Sequence, residues 1–215
     1  MKRAQKLTVW FIGIVPILFL TAGVTFASPH YTQNEFTSAE SLDAGMTQTG
    51  IFFTLGDHDK SYYAGIRYGL GAMLEIGAKI GASSVKFESS GEDKVGALIG
   101  VDLKYQLIKE TEGIPLDMSL DLGFDNTIIN GDNASEVNFS TIFSKGFPLT
   151  DRGYKIIPYG GLEMSALYGS LTNDKSTSFY VFGGVEWKLS QKFMLLFEIK
   201  TGASTLGGAG IRFEY

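Results

Sequence analysis

Ile114-Pro115-Leu116-Asp117-Met118-Ser119-Leu120-Asp121-Leu122-Gly123-Phe124-Asp125 places an apolar residue at every even position and Pro, Asp, Ser or Gly at every odd one. A strand sends successive side chains to opposite faces, so this text describes a sheet with one apolar and one polar side. Wound as a helix, the same apolar residues would scatter around the axis. The preceding run repeats the pattern, with Val95, Ala97, Ile99, Val101, Leu103, Tyr105 and Leu107 against Gly96, Gly100, Asp102, Lys104 and Gln106. Glu110-Thr111-Glu112-Gly113 joins the two as a short turn, which makes them an antiparallel hairpin. Near the end of the chain, Phe179, Val181, Val185, Trp187 and Leu189 form one apolar set and Phe193, Leu195, Phe197 and Ile199 another, with only Ser190-Gln191 between them.

Turns counted between such runs give strands near 45–56, 61–69, 73–87, 94–109, 113–127, 135–147, 154–171, 177–190, 192–202 and 205–215. The expected fold is all-β, a transmembrane antiparallel up-and-down barrel of ten strands. Splitting the chain at Gly69-Leu70-Gly71-Ala72 decides the number, since merging those runs would give eight. An even count returns both ends to the same side of a membrane. The outer loops would then be Gly56–Ser61, Ser89–Lys94, Asn126–Ser135, Leu171–Thr177 and Thr201–Thr205, all short.

Period-two text also fits the inverse protein, a secreted lipocalin-like barrel with apolar residues inside. Two features favour the membrane reading. The polar face gathers charges of both signs, Arg67, Glu75, Lys79, Asp102, Lys104, Asp117, Asp121, Glu163, Glu186, Lys188, Glu198 and Arg212, as a crowded polar lumen would. Tyr62, Tyr68, Tyr105, Phe124, Tyr168, Phe179, Trp187 and Tyr215 fall near expected strand ends, where an interfacial aromatic girdle belongs.

At the start of the chain Lys2, Arg3 and Lys6 precede an apolar stretch from Leu7 to about Val24, and Thr25-Phe26-Ala27 offers a small-residue cut. Residues 1–27 are therefore expected to be a cleaved secretory signal peptide, residues 28–44 a flexible periplasmic lead-in, and residues 45–215 the barrel. The signal carries three of the 18 basic residues and no acid, leaving 15 basic against 23 acidic residues. Nucleic acid is a poor partner for such a surface. The chain has no Cys, which excludes disulfides, a lipidated Cys and thiol chemistry.

The last six residues, Gly210-Ile211-Arg212-Phe213-Glu214-Tyr215, resemble the C-terminal assembly signal of bacterial outer-membrane barrels, carried here by Gly210, Phe213 and Tyr215. Arg67-Tyr68-Gly69-Leu70, Leu74 to Lys79, Val101 to Tyr105, Pro158-Tyr159-Gly160-Gly161 and Phe182 to Leu189 are similar to strand texts of the small porin-like outer-membrane β-barrel superfamily of Gram-negative bacteria. The resemblance implies an outer-membrane address, lipids as neighbours, delivery by periplasmic chaperones and the barrel assembly machinery, and a monomer. It does not imply one activity, because similar barrels serve as channels, anchors, adhesins or enzymes.

Candidate chemistry is sparse. The chain has two His, His30 beside the signal cut and His58 in Asp57-His58-Asp59. Carboxylates beside a His could tune a base or hold a metal, but adjacent residues on a short loop seldom converge on one atom, and a solvated turn is the better reading. No catalytic, metal or cofactor site is expected. Gly207-Gly208-Ala209-Gly210 is followed by no helix, so close strand approach explains it better than a phosphate loop. Asp117, Asp121 and Asp125 share one face, where they are expected to pair with Lys104 across the hairpin or else to line a cation path. The expected function is a narrow or closed channel or a structural membrane element. An outer-membrane enzyme or a surface-binding protein is the alternative.

Overall fold

The computed structural model of the chain describes residues 36–215 apart from 57–58, 87–92, 112, 150–153 and 171–175. The signal-peptide expectation for 1–27, both His and the start of the expected lead-in lie outside these residues. The alternating texts become β1 (Thr47–Gly56), β2 (Asp59–Gly69), β3 (Leu74–Lys86), β4 (Asp93–Ile108), β5 (Asp117–Ile129), β6 (Asp132–Ser144), a two-residue β7 (Phe147–Pro148), β8 (Lys155–Tyr168), β9 (Ser176–Lys188), β10 (Phe193–Gly202) and β11 (Thr205–Glu214). Each long strand pairs with its neighbours antiparallel, β1 pairs with β11, and β6 pairs with β8, so ten strands close a ring. β7 caps the end where both termini of the barrel lie, through Phe147 opposite Ile156 and Pro148 opposite Lys155.

The turn at residues 70–73 separates β2 from β3, which removes the eight-strand alternative. Several strand ends differ from expectation: the strand expected from 113 begins at Asp117, the one expected to reach 147 ends at Ser144, and the β5–β6 hairpin is tighter than expected. The sequence reading ends a strand at 127 and resumes at 135, whereas β5 runs to Ile129 and β6 starts at Asp132. The reason is Asn130-Gly131, whose φ angles of 54° and 92° make the positive-φ pair that a two-residue hairpin of matching twist requires.

Burial fixes which face looks inward. Along β5 the odd residues Asp117 to Ile129 are buried, while Leu122, Phe124 and Ile128 are exposed. The same phase recurs around the ring, with Ile80, Val95, Leu162, Phe179, Phe197 and Ile199 outside and Glu75, Lys104, Glu163, Glu186, Glu198, Lys200 and Arg212 inside. This is the inverse of a soluble ligand-binding barrel, and the lipocalin alternative falls. The eight aromatics assigned to a girdle all face outward. Phe124 is the exception in height, since it lies in the middle of β5 rather than near an end.

The interior is not wholly polar. Phe52 and Tyr63 stack with ring centroids 5.1 Å apart, and they cluster with Leu98, Met194 and Leu196. Gly50 and Gly210 make room for the Phe52 ring: a Cβ on Gly50 would lie 2.7 Å from it. Close approach is thus the role of Gly210 in the glycine-rich run.

Candidate functional site

The lumen is the place where this chain concentrates buried charge, because inward positions of a small barrel have no other volume to occupy. Arg67 joins Glu75 at 2.5 Å and Asp102 at 2.6 Å. Lys104 reaches the same Glu75 oxygen at 2.9 Å. Toward the far end Lys79 pairs with Asp125 at 2.8 Å, and Lys200 with Glu163 at 2.6 Å, neither partner of the second pair being exposed. On the opposite wall Glu186 lies between Arg212 at 3.7 Å and Lys188 at 3.9 Å. Asp117 accepts from the Gln106 amide and the Glu110 N–H, each at 2.8 Å. An isolated charge in such a place would cost several kcal/mol, and cross-lumen pairing offsets that cost.

All twelve charged residues assigned to the polar face thus point into the barrel, together with Asp59, Asp125, Glu136 and Lys200. Glu136 lies within the expected strand 135–147 but was not among the charges assigned to its polar face. The expected partnership of Lys104 with Asp121 takes a different form. The two are register partners across β4 and β5, but the Lys104 ammonium turns to Glu75 and to a segment that the sequence did not place.

That segment is Phe36 to Met46. Residues 28–44 were expected to form a flexible lead-in; of its described part, Phe36, Thr37, Ser38, Ala39 and Leu42 are buried inside the barrel. Lumen side chains hold its backbone. Glu198 accepts the Phe36 N–H at 2.8 Å, and Arg212 donates to the Phe36 carbonyl. Lys104 donates to the carbonyls of Ser38 at 2.8 Å and Glu40 at 3.0 Å, and to Thr37 Oγ1 at 2.8 Å. Ser144 Oγ accepts the Ala39 N–H at 3.0 Å, Gln106 Oε1 that of Ser41 at 3.1 Å, and Glu75 that of Leu42 at 2.9 Å. The Phe36 ring packs on Phe52 at 5.1 Å and Tyr63 at 6.4 Å, and Ala39 joins Ile142, Tyr159 and Phe182. At the barrel mouth Glu40 pairs with Lys155 at 2.8 Å. Burial pushes the Glu40 carboxyl up, but Lys188 and Lys155 outweigh it and hold it below the usual glutamate value.

Two cavities flank the segment. One of about 40 Å³ lies deeper, beside Phe36, Phe52, Lys79, Asp125 and Asn138. The other, of about 130 Å³, lies at the mouth beside Ser38, Glu40, Ser41, Lys188 and Glu214. Among the described residues no group of three or more His, Cys, Asp or Glu is placed to hold a metal ion.

No protein-family profile matches this chain, and no curated protein matches it. Solved structures do. The β domain of the Bordetella autotransporter BrkA aligns with a TM-score of 0.54 at 12% identity, covering 80% of this chain and 100% of that one. The fold is that of an outer-membrane β-barrel. The translocator domain of the autotransporter NalP from Neisseria meningitidis aligns at 0.48 and 11% identity, over 82% of this chain and 90% of that one. The N-terminal β-barrel domain of Pseudomonas aeruginosa OprF aligns at 0.39 and 12% identity, over 81% and 100%.

Proposed function

We propose that this chain is an integral outer-membrane barrel acting as a narrow or closed channel, with residues 36–46 as its closure. The observation that carries this reading is the lumen segment itself. Phe36 to Leu42 occupies space that would otherwise be solvent, and charged side chains from three separate stretches of wall bind it. A ten-strand barrel is only modestly wider than one filled by its own side chains, so a single segment of chain suffices to obstruct it. The apolar exterior supports the membrane address, since so much exposed hydrocarbon on a soluble monomer would aggregate. In this reading the chain works as a monomer among outer-membrane lipids. Periplasmic chaperones and the barrel assembly machinery deliver it, and Gly210, Phe213 and Tyr215 form the assembly signal.

Planar-bilayer recording of the refolded full-length chain tests the closure. The expected trace has no sustained open level at moderate voltage in varied salt. A stable open level like that of an unobstructed barrel overturns the closed reading. Fractionation and a heat-dependent mobility shift in detergent gels test the address, and a soluble, unshifted product sinks it.

A further inference from the structure

We propose that the lumen is a binding site for a polypeptide segment, recognised mainly through its backbone, and that Phe36–Leu42 is the occupant present in this structure. The proposal deepens the closed-barrel reading and rests on it for the position of the segment. Its argument lies in which atoms are held. Seven backbone groups of the segment are bound by side chains of the wall. The N–H groups of Phe36, Ala39, Ser41 and Leu42 go to Glu198, Ser144, Gln106 and Glu75, and the carbonyls of Phe36, Ser38 and Glu40 go to Arg212 and Lys104. Acceptors thus face amides and cations face carbonyls along the whole stretch. Its side chains add fewer contacts: the Phe36 ring packs among Phe52, Tyr63 and Leu196, Ala39 lies against Ile142, Tyr159 and Phe182, Thr37 Oγ1 accepts from Lys104, and Glu40 pairs with Lys155.

Backbone groups are common to every peptide, so such a site selects a backbone path more than a sequence. The 130 Å³ cavity beside Ser38 and Ser41 gives longer side chains somewhere to go at those positions. The ligand class that fits is a peptide of about seven residues, the length of Phe36–Leu42, with an aromatic at its deep end, a small residue at the Ala39 position and tolerance along the mouth.

Asp43, Ala44 and Gly45 are exposed, so a protease site can be placed there and cut after the full chain has refolded in detergent. Heat-dependent mobility then verifies that the cut barrel remains folded. Fluorescence anisotropy follows the entry of labelled peptides spanning residues 36–43. The native peptide is expected to bind, and a version with Ser38→Asn and Ser41→Asn to bind within about tenfold of it. Methylating the backbone nitrogens of Ala39 and Leu42 removes two donors and is expected to weaken binding about a hundredfold, one decade for each hydrogen bond. The Phe36→Ala peptide should also lose about a hundredfold or more.

Failure of the native peptide to bind, whether the original fragment leaves or stays, overturns the proposal. So does a substituted peptide as weak as the methylated one, which would mark a sequence-locked filler. No conductance is read here. A barrel that conducts yet binds peptide sinks the closed-channel reading alone, and a closed barrel that binds none sinks this one alone.

Discussion

Replacing Lys104 with Met keeps most of the side-chain length and removes the ammonium that joins the lumen segment to the wall. In the structure this group donates to Thr37 Oγ1, to the Ser38 carbonyl and to the Glu40 carbonyl, within 2.8–3.0 Å. It also pairs with Glu75, which retains Arg67 at 2.5 Å and the Leu42 N–H in the variant. A hydrogen bond to a charged donor contributes about 1.5–3 kcal/mol. Three of them do not add fully, because the mouth cavity lets water reach the stranded carbonyls. The cost of Lys104→Met to segment binding is therefore about 3–4 kcal/mol, a factor of about 10²–10³ in the equilibrium between seated and released segment. The strand ladders are untouched, so the barrel itself changes little. Native-state hydrogen exchange read by mass spectrometry separates the two effects. The fragment containing Ala39, Ser41 and Leu42 should exchange about 10²–10³ times faster than in the parent, with β4 and β5 unchanged. Exchange within about threefold of the parent would refute the reasoning, since RT ln 3 is far below the stated cost. Loss of protection throughout the barrel would refute it as well.

Further outcomes follow from the wall, the mouth and the closing strand. Phe197→Lys puts a charge at mid-height on the lipid face, where Phe197 is 51% exposed, and should cost about 2–4 kcal/mol in urea titrations of folding into vesicles; no change would contradict the orientation. Glu40, with its folded pKa lowered, stabilises the seated segment above the unfolded value near 4.3 and progressively less as pH falls through the lowered one. Pepsin should accordingly cut residues 36–46 more readily at about pH 3 than at about pH 5, and Glu40→Gln should reduce that difference. Deleting Phe213–Tyr215 removes the Gln48–Glu214 and Thr49–Phe213 register pairs and the two backbone bonds between Thr47 and Tyr215. That truncation should accumulate in the periplasm without a heat-shifted band; normal membrane assembly would count against the assembly role.

Much of the wall was readable because a two-sided sheet must alternate, and Ile114–Asp125 alternates without a break. Strand ends were less so, because hydrophobic phase does not mark where pairing stops. At the far end of β5 the stop is Asn130-Gly131, a positive-φ pair that the alternation on either side does not mark. The lumen segment was invisible for a different reason. Phe36-Thr37-Ser38-Ala39-Glu40-Ser41-Leu42 shows neither strand nor helix period, since its backbone groups are satisfied by Glu198, Lys104, Ser144, Gln106 and Glu75 and not by a ladder. A peptide held that way needs no pattern of its own. Glu75 and Lys104 were recognisable as inward charges, but a sequence cannot reveal that both turn toward a third element.

The pairing of β1 with β11 decides the direction in which anything could travel. That junction has nine register pairs, as many as β1 has with β2 or β10 with β11. It is further bolted from within by Gln48, which donates to Glu214 at 2.7 Å and accepts from Arg212 at 3.1 Å. Arg212 in turn grips the Phe36 carbonyl. Parting the first and last strands would therefore break a full-length ladder and unseat the lumen segment together. Such a wall has no weak side door into the bilayer, and passage through this protein would have to run along its axis.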